Sequence, residues 1–155
     1  MAFDSRVRKA EPEDAAPAAR LMHRFDTEYY EDIDEPEVLE RRYREQLESG
    51  DVTVILVRDV EAGFAQLRYR SQIYSDAPAA YLEELYVVPD RRGEGLGRAL
   101  LEAAIEEARA RGADMIDLGT AETDTAARGL YESAGFTNRE GKPDGPVMLY
   151  YEREL

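Results

Sequence analysis

The chain has 155 residues, with 34 acidic against 20 basic side chains, one His and no Cys. That length suits one domain, here taken as residues 1–155, with an ordinary hydrophobic core; missing cysteine excludes disulfides, thiolate nucleophiles and Cys-based metal sites, and the lone His23 excludes a two-His metal site. A net charge of −14 argues against a nucleic-acid partner, and no apolar run approaches the roughly 18 residues of a membrane span or forms a secretion leader, so the expectation is a cytoplasmic protein with no metal and no membrane partner.

Residues 7–10 make a short alternating start, and 11–14 a turn with an N-cap candidate. Ala18, Leu21, Met22 and Phe25 recur at helical spacing and predict a helix from Ala15 to about Tyr30, with Pro17 harmless in its first turn. Val38, Leu39, Tyr43 and Leu47 predict a second helix over 37–48, closed by Ser49-Gly50. The β-branched run 51–57 and the alternating run 62–70 read as a hairpin turning at 58–61. After a loop at 75–78, residues 80–88 form a strongly apolar strand that stops at Pro89. Over 97–111, Leu100, Leu101, Ala104, Ile105 and Ala108 share one face, with Glu102, Glu106, Glu107, Arg109 and Arg111 outside, so an amphipathic helix is expected up to Gly112. A short buried strand at 115–118, a helix at 124–134 stopped by Gly135, and an alternating strand at 147–153 complete the reading. Strand, helix and strand over 80–118 form a βαβ unit with parallel strands, and the preceding hairpin makes the rest of the sheet antiparallel. The fold class is therefore α/β with a mixed sheet.

The acidity is uneven. Residues 26–48 hold ten acids against three bases, half of the net charge. Two readings fit: a hydrated surface from a salt-adapted or high-GC proteome, or a wall facing a cationic substrate. The bases are almost all Arg, with only Lys9 and Lys142 as exceptions.

The chemistry concentrates at Arg92-Gly93-Glu94-Gly95-Leu96-Gly97-Arg98, between a strand and a helix. Glycines let the backbone approach a ligand, and the helix start adds unpaired N–H groups and a positive dipole end. Such a segment cradles an anion, most often a pyrophosphate, with Arg92 and Arg98 flanking it. The spacing is neither that of a dinucleotide-binding fold nor that of a P-loop. Too little chain follows Gly97 for the further βα units a dinucleotide fold requires.

These residues resemble the GNAT superfamily of acyl-CoA-dependent N-acetyltransferases, polyamine- and aminoglycoside-type members above all. Arg92-Gly93-Glu94-Gly95-Leu96-Gly97 matches the family's [QR]-x-x-G-x-[GA] motif, and Tyr81 to Pro89 resembles its central strand. Ala126-Ala127-Arg128-Gly129-Leu130-Tyr131-Glu132-Ser133-Ala134-Gly135-Phe136 resembles its A-x-x-L-Y-x-x-x-G-F helix and turn. The resemblance implies a sheet splayed between its central strands, with acetyl-CoA as co-substrate in the gap and direct transfer in a ternary complex. It implies cofactor contacts from Leu85, Tyr86 and Val87, from the loop residues 92–98, and from Asp124, where many members carry Asn. It implies Tyr131 as the general acid that protonates the departing thiolate; the other reading of Tyr131 is a core aromatic.

Glu83 and Glu84 stand out in an apolar strand. Alternation points them to opposite faces unless a bulge intervenes, and burial would raise a carboxyl pKa toward that of a base working near neutrality. By resemblance both lie near the acceptor amine, with Glu83 favoured as base through water; the alternative is pairing with Arg68 or Arg70. His23 is expected on the polar side of its helix as a surface residue. Tyr29, Tyr30 and Tyr74 are expected to line the acceptor pocket.

The expected function is acetyl transfer to a primary amine of a small cationic acceptor. Protein lysine or N-terminal amines are the runner-up acceptors. The competing class is a non-catalytic acyl-CoA sensor, which would lack Tyr131 or the carboxylates. The apolar, tyrosine-rich end at 147–153 is read either as an edge pairing with a second copy in a homodimer or as an interior strand.

Overall fold

The computed structural model describes residues 3–155 and divides between Leu118 and Gly119 into two units. In the first, the apolar runs pair into one sheet of five strands: β1 (Val7–Lys9), β2 (Thr53–Val57), β3 (Gly63–Arg70), β4 (Ala79–Val87) and β5 (Met115–Leu118). Their spatial order follows the chain. The first three junctions are antiparallel and β4–β5 is parallel. A parallel junction requires a crossover, and helix α3 (Leu96–Ala110) supplies it.

Helices α1 (Ala15–Tyr29) and α2 (Pro36–Ser49) pack on each other, as the apolar spacing requires. Helix α2 starts one residue earlier than predicted, because Pro36 sits in its first turn, where proline's fixed φ suits a helix. It ends at Gly50 in the left-handed conformation, at φ 78°. Successive residues of a strand face opposite ways, and Gly63 and Phe64 show which helix lies where. A Cβ on Gly63 would lie 3.2 Å from Leu100 of α3. The Phe64 ring meets Tyr86, which in turn meets Phe25 of α1. Thus α3 covers one face and α1 the other. Phe64, Leu21, Ile55, Leu67, Leu100 and Leu101 are fully buried, each stabilising the fold by about 1.5–3 kcal/mol.

One residue of α3 departs from expectation. Glu107, read as outward, is buried, and its carboxylate accepts a 2.6 Å bond from Lys9 of β1. The helix is long enough to lie across β1 to β4, so its apolar stripe is wider than the spacing suggested.

The second unit holds α4 (Thr125–Ser133), capped by Asp124, whose Oδ1 accepts from the Ala127 N–H at 3.0 Å. Gly135, at φ 94°, ends it as predicted. The strand expected over 147–153 is reduced, within this unit, to one antiparallel bridge between Arg139 and Val147. A strand exists only through its partner; in antiparallel register the residues opposite 148–153 run back from Asn138, and there the chain soon reaches Gly135 and the end of α4. Among the described residues no helix is long and apolar enough to cross a membrane.

Candidate active site

Strand β5 pairs with β4 only over Ala79–Leu82. From Glu83 to Val87, β4 is held by β3 alone within this unit, so its backbone groups on the other side meet no strand there. This is the splay that the resemblance implied. The β3–β4 register also slips: Gln66 faces Glu84 and Leu67 faces Leu82, leaving Glu83 as the extra residue of a β-bulge.

The bulge separates the two carboxylates chemically. Glu83 Oε2 accepts from Gln66 Nε2 at 2.6 Å and from Arg68 Nε at 2.7 Å. Gln66 is oriented by the buried Tyr43, whose hydroxyl donates to Gln66 Oε1 at 2.5 Å. Glu83 is thus the end of a chain that runs from α2 across β3. Arg70, the other candidate partner, goes to Asp117 of β5 instead. Glu84 has no hydrogen-bond donor among the described residues, and burial, followed by the nearby charges of Glu83 and Asp26, pushes its carboxyl up to about 7. Asp26 of α1 is itself raised, mainly by burial. A small cavity of about 120 Å³ adjoins this network, bordered by Tyr43, Gln46, Gln66 and Arg68.

At the other end of β4, Gly93 and Gly95 adopt φ of 83° and 81°, which only glycine takes without strain. A Cβ on Gly93 would meet nothing within 4 Å, so the loop is open to a ligand. Gly95 is the N-cap of α3, no side chain caps that helix, and no acid occupies its first turn. No side chain of that turn therefore competes for its first N–H groups, a setting that suits an anion. Glu94, the acid inside the motif, is tied to Arg91 at 2.7 Å. Gly97 is already helical and has no unusual φ. Leu96 is buried as the helix's anchor. Arg98 lies in the first turn, 4.0 Å from Glu102. Arg92 does not simply flank the loop: its guanidinium bonds Glu28 and the Val87 carbonyl. Sequence reasoning missed Arg6, which donates to the Glu94 carbonyl at 3.0 Å and is held by Asp4. No local pattern marks it, since 88 residues separate it from the loop.

Tyr29 and Tyr30 stack around Phe25, at 5.1 and 6.2 Å between centroids, close to Tyr86. Tyr74 is on the loop before β4 with its ring almost wholly exposed, 98%, and touches none of these groups within its unit. His23 is half-buried with Nδ1 3.2 Å from the Asp34 carbonyl oxygen, so it pins the loop between α1 and α2. In the second unit, the Tyr131 ring meets Phe136 edge-on at 5.9 Å, and Asp124 serves as the helix cap. Three of the ten acids over 26–48 are paired within the segment, Asp34 with Arg42, Glu45 with Arg41 and Glu40 with Arg44, so most of its negative charge is not offset there.

A splayed mixed sheet with a glycine loop opening α3 is a fold arrangement with known counterparts. The acetyltransferase (GNAT) family model matches residues 18–136. The chain belongs to the GNAT family. An uncharacterized N-acetyltransferase, YhfO of Bacillus subtilis (strain 168), is 32% identical over 138 residues, covering 87% of this chain and 91% of that protein. An aminoglycoside N(6')-acetyltransferase type 1 of Stenotrophomonas maltophilia is 31% identical, covering 86% and 87%. Among solved structures, one from Arthrobacter sp. FB24, described as an acetyltransferase, superposes with a TM-score of 0.89 at 40% identity, over 100% of this chain and 99% of that one. The GNAT fold and an acetyltransferase activity are thereby shown, and acetyl-CoA is the co-substrate of this family.

Proposed function

We propose that this GNAT enzyme acetylates a primary amine of a small cationic acceptor by direct transfer, with Glu84 as the base. The observation that carries this reading is the placement of Glu84: a carboxyl beside the bulge, without a donor of its own and next to Glu83 and Asp26, where burial pushes it up to about 7. An acceptor amine arrives as an ammonium and must lose a proton before it can attack. A carboxylate with a pKa near neutrality removes that proton at physiological pH, where an ordinary carboxylate would be too weak a base. Glu83 is committed to Gln66 and Arg68, which leaves Glu84 as the carboxyl of the pair open to an incoming amine.

Acetyl-CoA brings the activated acyl thioester. The N–H groups of the loop over 93–98 and of the start of α3 suit its pyrophosphate, with Arg6 bracing the loop from behind. The backbone N–H groups of β4 at Leu85–Val87, past the end of its pairing with β5, suit the pantetheine arm and the acyl oxygen, where they would oppose the growing negative charge. Tyr131 is assigned as the acid for the thiolate because it occupies the family's tyrosine position in the α4 motif. An aminoglycoside acetyltransferase among the relatives supports a small basic acceptor, as does the Glu83–Glu84–Asp26 grouping.

A CoA-release screen of polyamines, aminoglycosides, amino acids and peptides tests the acceptor class. Turnover is expected with multiply cationic small amines. A preference for neutral or anionic acceptors would overturn the assignment, and failure of acetyl-CoA to raise the Tm at saturation would overturn the loop's role.

A further inference from the structure

Glu28 lies in the acidic segment, yet its carboxylate faces away from that segment's arginines and toward the glycine loop. Arg92 Nη2 donates to both of its oxygens, at 2.9 and 3.0 Å. The Tyr86 hydroxyl donates to Glu28 Oε2 at 2.9 Å. Arg92 Nε donates to the Val87 carbonyl at 2.9 Å, and its guanidinium carbon lies 5.8 Å from the Tyr86 ring centroid. The end of α1, the end of β4 and the entrance to the loop therefore meet at one carboxylate.

That carboxylate is badly placed for its own helix. It sits in the last turn of α1, where the dipole is negative and no basic residue compensates. The contacts with Arg92 and Tyr86 offset this local cost, and against the upward push of burial they lower the Glu28 carboxyl below its ordinary value. In return, Arg92 is aimed so that its Nε closes the turn between Val87 and the loop. One helical turn thus carries Asp26, whose charge acts on Glu84, and Glu28, which holds the loop.

We propose that Glu28 is a positioning residue: through Arg92 and Tyr86 it fixes the loop that takes the cofactor's pyrophosphate, and so ties the acceptor-side helix to the cofactor side of the site. The proposal rests on the reading of this loop as the anion site given above. Loss of Glu28 loosens the loop entrance without removing any group that would touch the cofactor's phosphates.

The test is calorimetric binding of acetyl-CoA to the full chain and to Glu28→Gln, Glu28→Asp, Arg92→Ala and the double variant Glu28→Gln/Arg92→Ala. Glu28→Gln is expected to weaken acetyl-CoA about three- to tenfold, as for a partly exposed charge-assisted contact, with the Tm of the free protein little changed. Glu28→Asp, which keeps the charge on a shorter stem, should recover part of the loss. In the double variant the two effects should fall short of multiplying, because each removes the same link. If the unmutated protein does not bind acetyl-CoA, the loop reading fails. If it binds and Glu28→Gln binds equally, or the two effects multiply in full, or affinity falls only in step with Tm, the positioning role alone is overturned.

Discussion

At the start of α3 the chain presents backbone: Gly93 and Gly95 hold left-handed φ, no side chain caps the helix, and Glu94 is drawn off by Arg91. In the middle of β4 it presents side chains: a bulge puts two carboxylates together, one bonded to Gln66 and Arg68 and one left in a desolvated place. In the function proposed above, the first region attracts an anion with fixed dipoles that do not titrate, and the second attracts and deprotonates a cation with a group whose charge depends on pH. Substitutions in the loop should therefore change cofactor affinity at every pH, and substitutions at the bulge should change rate in a pH-dependent way.

The largest effect is expected from Glu84→Gln. Removing a general base lowers kcat/KM by about 10²–10⁴-fold at pH 8, and the rise in rate expected of the native enzyme as pH increases through about 7 should disappear. A variant profile that still climbs through neutrality would remove Glu84 as the base. Next is Tyr131→Phe, expected to lower kcat by about 10²-fold while acetyl-CoA binding measured by calorimetry persists. Unchanged turnover would strip Tyr131 of the acid's role.

Gly95→Val sharpens the contrast from the loop side. The nearest atoms to a new Cβ are Arg6 nitrogens at 3.6 and 3.8 Å, which is ordinary contact, so the damage comes from a β-branched residue at φ 81°. The Kd for acetyl-CoA should rise about tenfold and stability fall by about 1–2 kcal/mol, with no change in the pH midpoint of the rate. A shifted midpoint would mean that the two regions are not separable.

Glu84 should also leave a mark on stability. Its folded pKa is raised, so the folded state holds that proton more tightly than the unfolded chain does. Stability is then full below the unfolded value and declines as pH rises toward about 7, levelling above it. Glu84→Gln should abolish that decline and be more stable than the native protein at pH 8 by about 1–2 kcal/mol, after discounting for partial solvation. Equal denaturation midpoints at pH 8 would contradict the desolvation argument. The smallest effect is expected from Glu83→Gln, which removes a neighbouring negative charge and releases Arg68. The pH midpoint of the rate should move down by about half a unit, and an upward move would show that Glu83 does not act on Glu84 electrostatically.

The sequence by itself determined the order of elements, the βαβ crossover, the glycine loop and the family, because each depends on local spacing: apolar residues at helical or alternating periods, and three glycines between a strand and a helix. It also determined that Glu83 and Glu84 were anomalous. Which of them is the poised group could not be read locally. Alternation predicts opposite faces, and a bulge becomes visible only once β3 and β4 are in register and Leu67 is seen opposite Leu82. The same holds for charges whose partners lie far along the chain. Glu107 looked outward until Lys9 of β1 met it, Arg6 had no motif of its own, and Glu28 belonged to an acidic run until Arg92 and Tyr86 claimed it. A side chain's type and spacing are set along the chain, but its desolvation and its partner are properties of the space into which the sheet and helices bring it, and there the tertiary structure decided.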